Sequence, residues 1–393
     1  MTVNEEYLDA LVRHQTYLTR YSGSVRNEIL PILNKTETAL KNAILETLAE
    51  EIGLTPKNLR NLRKLEEKIK MIRGEAWDIV ETTLLDDLTE LATSEQSILA
   101  GITTTVSPVV LNLKLLPIEQ LTTIINTHPF EGRTAKEWAA SLKRADLRRI
   151  SDEIKIGMVQ GQTTPEIARR IVGTVALKGK DGVTNISRNN ATTIVRTAIN
   201  SLSNEVRNQF NKANSDIVKK EIYVSVLDGR TTAICKSLDG KIFDIGKGAK
   251  PPMHWNCRSL RVAYLDGGVL GERPSKPVTE RLLVKEYAEK NKLGKITKRN
   301  DLPYGSKTSY DKFARLRTRE LTGQVPAKTT YQEWLKRQSK DFQDDTLGVA
   351  KAKLFRKGGL TLDKFVNRNG DELTLSELAN KHKQAFKSAG LDI

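Results

Sequence analysis

Two cysteines in 393 residues cannot form a disulfide framework. Aromatic residues supply only 5% of the chain, so its cores must be built from Leu, Ile and Val, which an apolar share of 38% can provide. No stretch approaches the roughly 20 uninterrupted apolar residues of a membrane-spanning helix. The first residues, Met1-Thr-Val-Asn-Glu-Glu6, are acidic and polar, opposite in character to a secretory leader. The expected compartment is therefore the reducing cytoplasm in which the chain is made.

What is plentiful is charge, and it is unevenly spread. The net charge is +16, yet residues 1–100 hold 12 Lys/Arg against 17 Asp/Glu, a net of −5. The remaining 293 residues hold 52 against 31, a net of +21. A basic body of this kind suits nucleic acid through phosphate neutralisation, which needs no base reading. The same excess also keeps a helical protein soluble, and composition alone does not choose between the two. An acidic front segment calls for a different neighbour.

At the usual ~100–200 residues per domain, the length implies two or three domains. Residues 3–52 carry Leu and Ile at helical spacings, Leu8, Leu11 and Leu18 among them, with Pro31 placed to interrupt or restart the helix. Thr55-Pro56 marks a new helix start. Leu59, Leu62, Ile69 and Ile72 supply its buried side, Gly74 is a weak point, and a further helix covers about 76–92. Such helices bury only one stripe and need partners. Thr103-Thr-Thr-Val-Ser-Pro-Val-Val is β-branched and Pro-containing, which predicts an extended linker at 101–116.

Helices return from Ile118. Thr134 can cap one through Leu142, and Leu147, Ile150, Ile154 and Met158 form a stripe ending near Gln160. Thr163-Thr-Pro-Glu166 starts a short helix that Gly173 ends. Ser187 opens another, with Ala191, Val195, Ala198, Leu202, Val206 and Phe210 on one face. The period then switches to two. Ile222–Leu227 reads as a strand ended by Asp228-Gly229, Asp239-Gly240 as a turn into Lys241-Ile-Phe, and Ser259–Tyr264 as another strand. Past Leu265 comes a Gly- and Pro-rich connection, then basic helices. Trp334-Leu335 and Leu347–Phe355 offer a small core, and Leu360–Leu378 reads as two short helices about the Asn367–Asp371 turn. The fold class is thus α+β and predominantly α-helical. Its parts are an acidic helical N-terminal arm (1–100), the linker (101–116), a helical core domain ending in a small antiparallel β-sheet (117–265), and a mixed, basic C-terminal extension (266–393).

Chemistry concentrates in residues 228–258. Both cysteines and one of four histidines lie there, among Asp228, Arg230, Cys235, Asp239-Gly240 and Pro251-Pro-Met-His254-Trp-Asn-Cys257-Arg258. His254 and Cys257, at H-x2-C spacing, can face one ion, and Cys235 from the neighbouring hairpin can be a third ligand. Thiolate and imidazole suit zinc, but a structural site is normally closed by four ligands. The fourth would have to be Asp228, Asp239 or water. The competing reading, which needs no cofactor, is a hydrogen-bonded turn with Cys235 and Cys257 as small buried residues and His254 bonded to backbone. It is preferred, because three-ligand patterns are unspecific.

Asp228-Gly-Arg-Thr, Cys235-Lys-Ser-Leu-Asp-Gly-Lys and Pro-Pro-Met-His254-Trp-Asn-Cys257-Arg258 together resemble the signature of phage Mu F-like minor head (head morphogenesis) proteins. Gly157-Met-Val-Gln-Gly161-Gln-Thr-Thr, Ile167-Ala-Arg-Arg-Ile and Ile194-Val-Arg196-Thr-Ala are similar to the helices that precede that signature. The resemblance is strong over about residues 135–265, and beyond it Tyr331-Gln-Glu-Trp334-Leu and Leu360–Leu375 are similar to the C-terminal extension of minor head proteins from some tailed phages. Many members carry C-x2-C where this chain has Thr232-x2-Cys235, so one thiolate is absent here. Asp228, Arg230, Asp239, Gly240 and Arg258 then read as residues that organise the sheet, a buried Arg–Asp pair pinning the strand end.

The resemblance implies a tailed-phage virion component present in several copies, inside the head near the portal vertex and in the host cytoplasm during assembly. Portal protein, the major capsid protein and packaged double-stranded DNA are its implied partners, and head assembly, DNA packaging or DNA delivery its role. It implies no enzyme. The alternative is a metal-dependent nuclease or a toxin-like module on a Mu F-like domain, since His254 lies near Asn256. Against it, no second histidine sits nearby as a general base, and no nucleotide-binding fingerprint is present.

Overall fold

The computed structural model describes residues 3–48, 56–107, 111–264 and 272–391. Two long helices dominate, α1 (Val3–Thr47) and α2 (Pro56–Val106). At ~1.5 Å per residue they run roughly 70 and 75 Å. Side-chain bonds join Lys68 to Thr47, Arg73 to the Leu33 carbonyl, Tyr21 to the Asp87 carbonyl and His14 to Glu95, so the pair is antiparallel. Leu11, Leu18, Val25, Ile29, Leu33, Leu40 and Ile44 form the buried seam of α1 at four- and seven-residue steps.

Four local expectations fail in this hairpin. Pro31 lies inside α1 without ending it. Buried Ile29 and Leu33 on either side hold the helix through the one lost hydrogen bond. Leu59 is exposed, and Gly74 does not break α2, so the helix expected at 76–92 belongs to the same helix. Residues 101–106, expected to be extended, are helical. There the Thr103 and Thr105 hydroxyls bond to the Leu99 and Gly101 carbonyls, and burial of Leu99 and Val106 overrides the β-branched preference. Thr55 and Pro108–Val110 lie outside the described residues, as does the Leu8 side chain.

Four helices pack on the hairpin: α3 (Ile118–Thr127), α4 (Ala135–Val159), α5 (Thr164–Val172) and α6 (Thr184–Ala213). Reciprocal Thr134–Glu137 and Thr163–Glu166 boxes start α4 and α5, and Gly173 ends α5 with φ of 79°. The stripe expected as a separate helix after Leu142 continues the same α4, and α6 begins one turn before Ser187. Near the hairpin's closed end, Leu40, Ile44, Leu65 and Ile69 pack on Ile150 and Ile154 of α4 and on Ile167 and Ile171 of α5. Midway, Trp77, Val80 and Leu88 share a core with Val195 and Leu202 of α6. At the open end, Leu11, Leu99 and Val106 meet Phe210 and the sheet residues Val224, Leu260 and Val262. The acidic N-terminal helices are thus bound along the body and do not stand off it.

Strand β1 (Lys220–Val224) is central to an antiparallel sheet, with β3 (Ile242–Asp244) and β4 (Leu260–Tyr264) beside it and Ile222 opposite Val262. The single strand expected over 222–227 is split, because β2 (Leu227–Asp228) joins a second sheet. There β2 lies parallel to β5 (Glu272–Lys276), and β5 antiparallel to β6 (Gly323–Pro326). The β5 stretch falls in what the sequence pattern marks as a connection. Alternate burial of Arg273 and Ser275 makes it a strand, while residues 265–271 lie outside the described ones.

The short helix α7 (Ala233–Leu238) follows β2. The C-terminal extension adds a helix pair, α8 (Glu280–Lys290) and α9 (Ser306–Leu321), with a small core of Leu283, Val284, Tyr287 and Tyr310. A second core gathers Trp334, Leu335, Phe342, Leu354, Phe355, Phe365 and Leu378. Its helices are α10 (Tyr331–Lys336), α11 (Lys340–Leu347), α12 (Val349–Arg356), α13 (Leu375–Lys381) and α14 (Lys383–Ala389). The first of the two helices expected after Leu360 is a 3-10 turn, Leu362–Phe365. The molecule is mostly helical with small sheets, as the α+β reading required. No helix among the described residues is long and apolar enough to cross a membrane.

Candidate functional site

The structure brings Cys235, His254 and Cys257 together. Cys235 comes from α7, and not from a hairpin as the turn pattern suggested. Thr232, with extended backbone, starts that helix and sets Cys235 in its first turn. The loop 251–259 delivers the other two and is anchored at four points. Trp255 sits edge-on to Trp138 of α4 at 4.9 Å, and the Asn256 amide donates to the Thr197 hydroxyl of α6 at 3.0 Å. Arg258 reaches Asp228, and the Ser259 carbonyl accepts from Asn204. Asn256 takes a φ of 57°, a left-handed conformation that Asn tolerates better than most residues.

Within the cluster, Cys235 Sγ lies 3.3 Å from His254 Nε2 and 3.8 Å from Cys257 Sγ. The buried Tyr223 hydroxyl approaches the same sulfur at 3.3 Å. His254 Nδ1 donates to the Trp255 carbonyl at 2.9 Å, which assigns a proton to Nδ1 and turns Nε2 toward Cys235. The bond with Cys257, with those from His254, Ser259 and Tyr223, outweighs burial and holds Cys235 well below the ordinary thiol range. The same bond and burial push Cys257 up. Burial opposes charge on His254, but the Cys235 sulfur and the Trp255 carbonyl raise its pKa. The group therefore favours one thiolate, held among donors.

Asp228 and Asp239 do not join this group; each is bound to an arginine. Asp228 accepts two bonds from Arg258, at 2.7 and 2.9 Å, and closes its own turn through the Arg230 and Thr231 amides. Burial works to raise its pKa, but Arg258 and Arg230 prevail and lower it. Asp239 accepts from the Ser225 amide at 2.6 Å, from the Tyr331 amide at 2.6 Å, and from Arg273 at 2.9 and 3.0 Å. That grip on Ser225 lies where the chain leaves β1 for β2. Gly240 has φ of 81° and gives its amide to the Tyr223 carbonyl. Arg230 differs from the others: its side chain is 78% exposed and only 3.7 Å from Asp228.

Arg273 and Tyr331, which complete the grip on Asp239, escape sequence reading. Nothing near them marks a site, since Arg273 stands in an apparent connection and the Tyr331-Gln-Glu-Trp334-Leu stretch is similar only to a C-terminal extension, with no sign of a bond to Asp239. Tyr223 is legible only as a strand residue. All three cluster side chains line a pocket of about 340 Å³, whose wall includes Gln15 and Thr19 of α1, Arg196 of α6, and Thr232, Asn256 and Arg258.

A helical body closed by a small antiparallel sheet thus carries the Cys–His–Cys group beside that sheet. Residues 148–261 match the family model described as phage Mu protein F like protein, so the resemblance carried by the motifs holds over this segment. The match runs from α4 to β4 and contains every residue of the cluster and both carboxylates, but neither Arg273 nor Tyr331. No curated protein and no solved structure matches the chain.

Proposed function

We propose that the chain is a minor head protein of a tailed bacteriophage, seated inside the head at the portal vertex and acting in head assembly, DNA packaging or DNA delivery. The observation that carries this reading is the match of residues 148–261 to the phage Mu protein F like family. Portal protein is the principal partner in this reading and the major capsid protein a second neighbour, with several copies per particle. The acidic N-terminal hairpin offers a protein-facing surface, where burial and the neighbouring Glu28, Glu90 and Asp86 raise the Asp87 pKa to about 6.

The C-terminal extension supplies the opposite charge. Residues 266–393 hold 27 Lys/Arg against 17 Asp/Glu. Lys292, Lys295, Lys298, Lys312, Arg315 and Arg319 are exposed on and beside α8 and α9. In this reading they meet packaged double-stranded DNA through its phosphates, without reading bases. Replacing Lys292, Lys295 and Lys298 by Glu weakens binding equally for unrelated sequences and lowers the salt slope by up to about 0.9 per lost contact.

Co-expression with the portal protein of the same phage tests the assignment. The expected result is one co-eluting complex that survives size exclusion. A well-folded chain that elutes free of portal protein overturns the portal-bound reading.

A further inference from the structure

Two of the three donor separations in the cluster fit tetrahedral metal ligation. With Zn–S near 2.3 Å and Zn–N near 2.0–2.1 Å, tetrahedral ligation puts two sulfurs about 3.8 Å apart and sulfur and nitrogen about 3.5 Å apart. Cys235 and Cys257 sulfurs are 3.8 Å apart, and His254 Nε2 is 3.3 Å from Cys235. All three donor atoms lie within 4.8 Å of one another. The Nδ1–H bond to the Trp255 carbonyl is the outer support that orients a ligating imidazole. The loop that carries His254 and Cys257 is tied to α4, α6 and Asp228, so the donors are held before any ion arrives.

The fourth ligand is the informative point. Asp228 and Asp239 are held by Arg258 and Arg273, and no further Cys, His, Asp or Glu joins the three among the described residues. The pocket beside them is lined by Thr232 and Asn256, whose Oγ1 and Oδ1 are buried and without a protein hydrogen bond. Arg196 and Arg230, both exposed, line the same pocket and favour an anion there. Three protein ligands with one exchangeable ligand is the pattern of an accessible zinc site, not a closed one.

We propose that Cys235, His254 and Cys257 bind one zinc ion whose fourth ligand is exchangeable, a water or a small anion admitted from the Arg196–Arg230 pocket. Thr232 stands three residues before Cys235, at the spacing of a C-x2-C pair, and lines the pocket with the three ligands. A cysteine there would close the site.

The test uses the full chain, purified without chelator and checked for folding by circular dichroism. Elemental analysis is expected to find one zinc per chain, falling sharply in Cys257→Ser and His254→Ala. The cobalt-loaded protein is expected to show a thiolate-to-metal charge-transfer band, and its visible spectrum to change on adding cyanide or phosphate. In Thr232→Cys that change disappears and zinc binding tightens by about tenfold or more. The Thr232→Cys gain keeps the test decisive if a ligand variant fails to fold. A folded wild-type chain holding under roughly a tenth of an equivalent after equilibration with micromolar zinc overturns the proposal. So does a Cys235–Cys257 disulfide in its place, or a cobalt spectrum indifferent to anions.

Discussion

The N-terminal hairpin meets the segment from α4 to β4 along its whole length, whereas the C-terminal extension meets that segment mainly around residues 225–240. The hairpin's contact is an aliphatic seam with two buried charge clusters. In one, Arg73 and Trp77 of α2 bond to Asp146 of α4 at 2.6–2.9 Å. In the other, Glu95 of α2 holds Arg207 and Ser203 of α6 and His14 of α1 at 2.6–3.0 Å. The extension is gripped by Asp239, which binds Arg273 and Tyr331, by the Tyr331 hydroxyl on the Asp228 carbonyl, and by Lys236 on the Thr346 carbonyl. One flank is built into the core of the segment. The other is fastened to the chain that carries Cys235, so its docking and the cluster's geometry share residues.

The contrast predicts different failures. Asp146→Ala strands Arg73 inside the core and should cost about 3–5 kcal/mol, read as a fall in the urea midpoint of the whole chain. A loss under about 1 kcal/mol would mean the cluster does not hold the hairpin. Asp239→Asn keeps part of its hydrogen bonding and should cost about 1–3 kcal/mol. Its mark is local: limited proteolysis should release the 272–391 region while the hairpin and its core stay resistant. Uniform digestion would erase the distinction between the flanks.

Gly240→Ala tests the same corner more gently. Its φ of 81° disfavours a side chain, and a Cβ would meet Thr330 Cγ2 at 2.7 Å. The expected cost is about 1–2 kcal/mol, with proteolysis shifted in the same direction as for Asp239→Asn.

The smallest effect lies on the hairpin's acidic face. Burial, then Glu28, raises Asp87 to about 6. Between about pH 4 and 6 the folded chain keeps a proton that the unfolded chain has released, so this group's contribution falls as pH rises through that window. Asp87→Asn should therefore raise the melting temperature at pH 7 and lose that benefit near pH 4. Asp87 is only partly buried, so solvent screening keeps the gain below about 1 kcal/mol. Equal shifts at both pH values would contradict the assignment.

Local signals were legible where chemistry was local. The Thr163–Glu166 box and Gly173 bound α5 from sequence alone, and the rarity of Cys and His picked out Cys235, His254 and Cys257. What could not be read depended on distant burial. The Thr103–Val106 stretch has β-branched chemistry, yet it is helical because Val106 enters a core with Val262 and Phe210. Asp239 reads as a turn residue, but its partners Arg273 and Tyr331 stand 34 and 92 residues away. Pro31 punctuates the sequence and leaves α1 unbroken because the seam on both sides is buried.

Quantitative mass spectrometry of purified virions of the phage that encodes the chain tests the head-protein assignment most directly. The protein is expected in mature particles at several copies, far below the major capsid protein and in fixed ratio to portal. Its absence from both procapsids and virions would contradict the assignment.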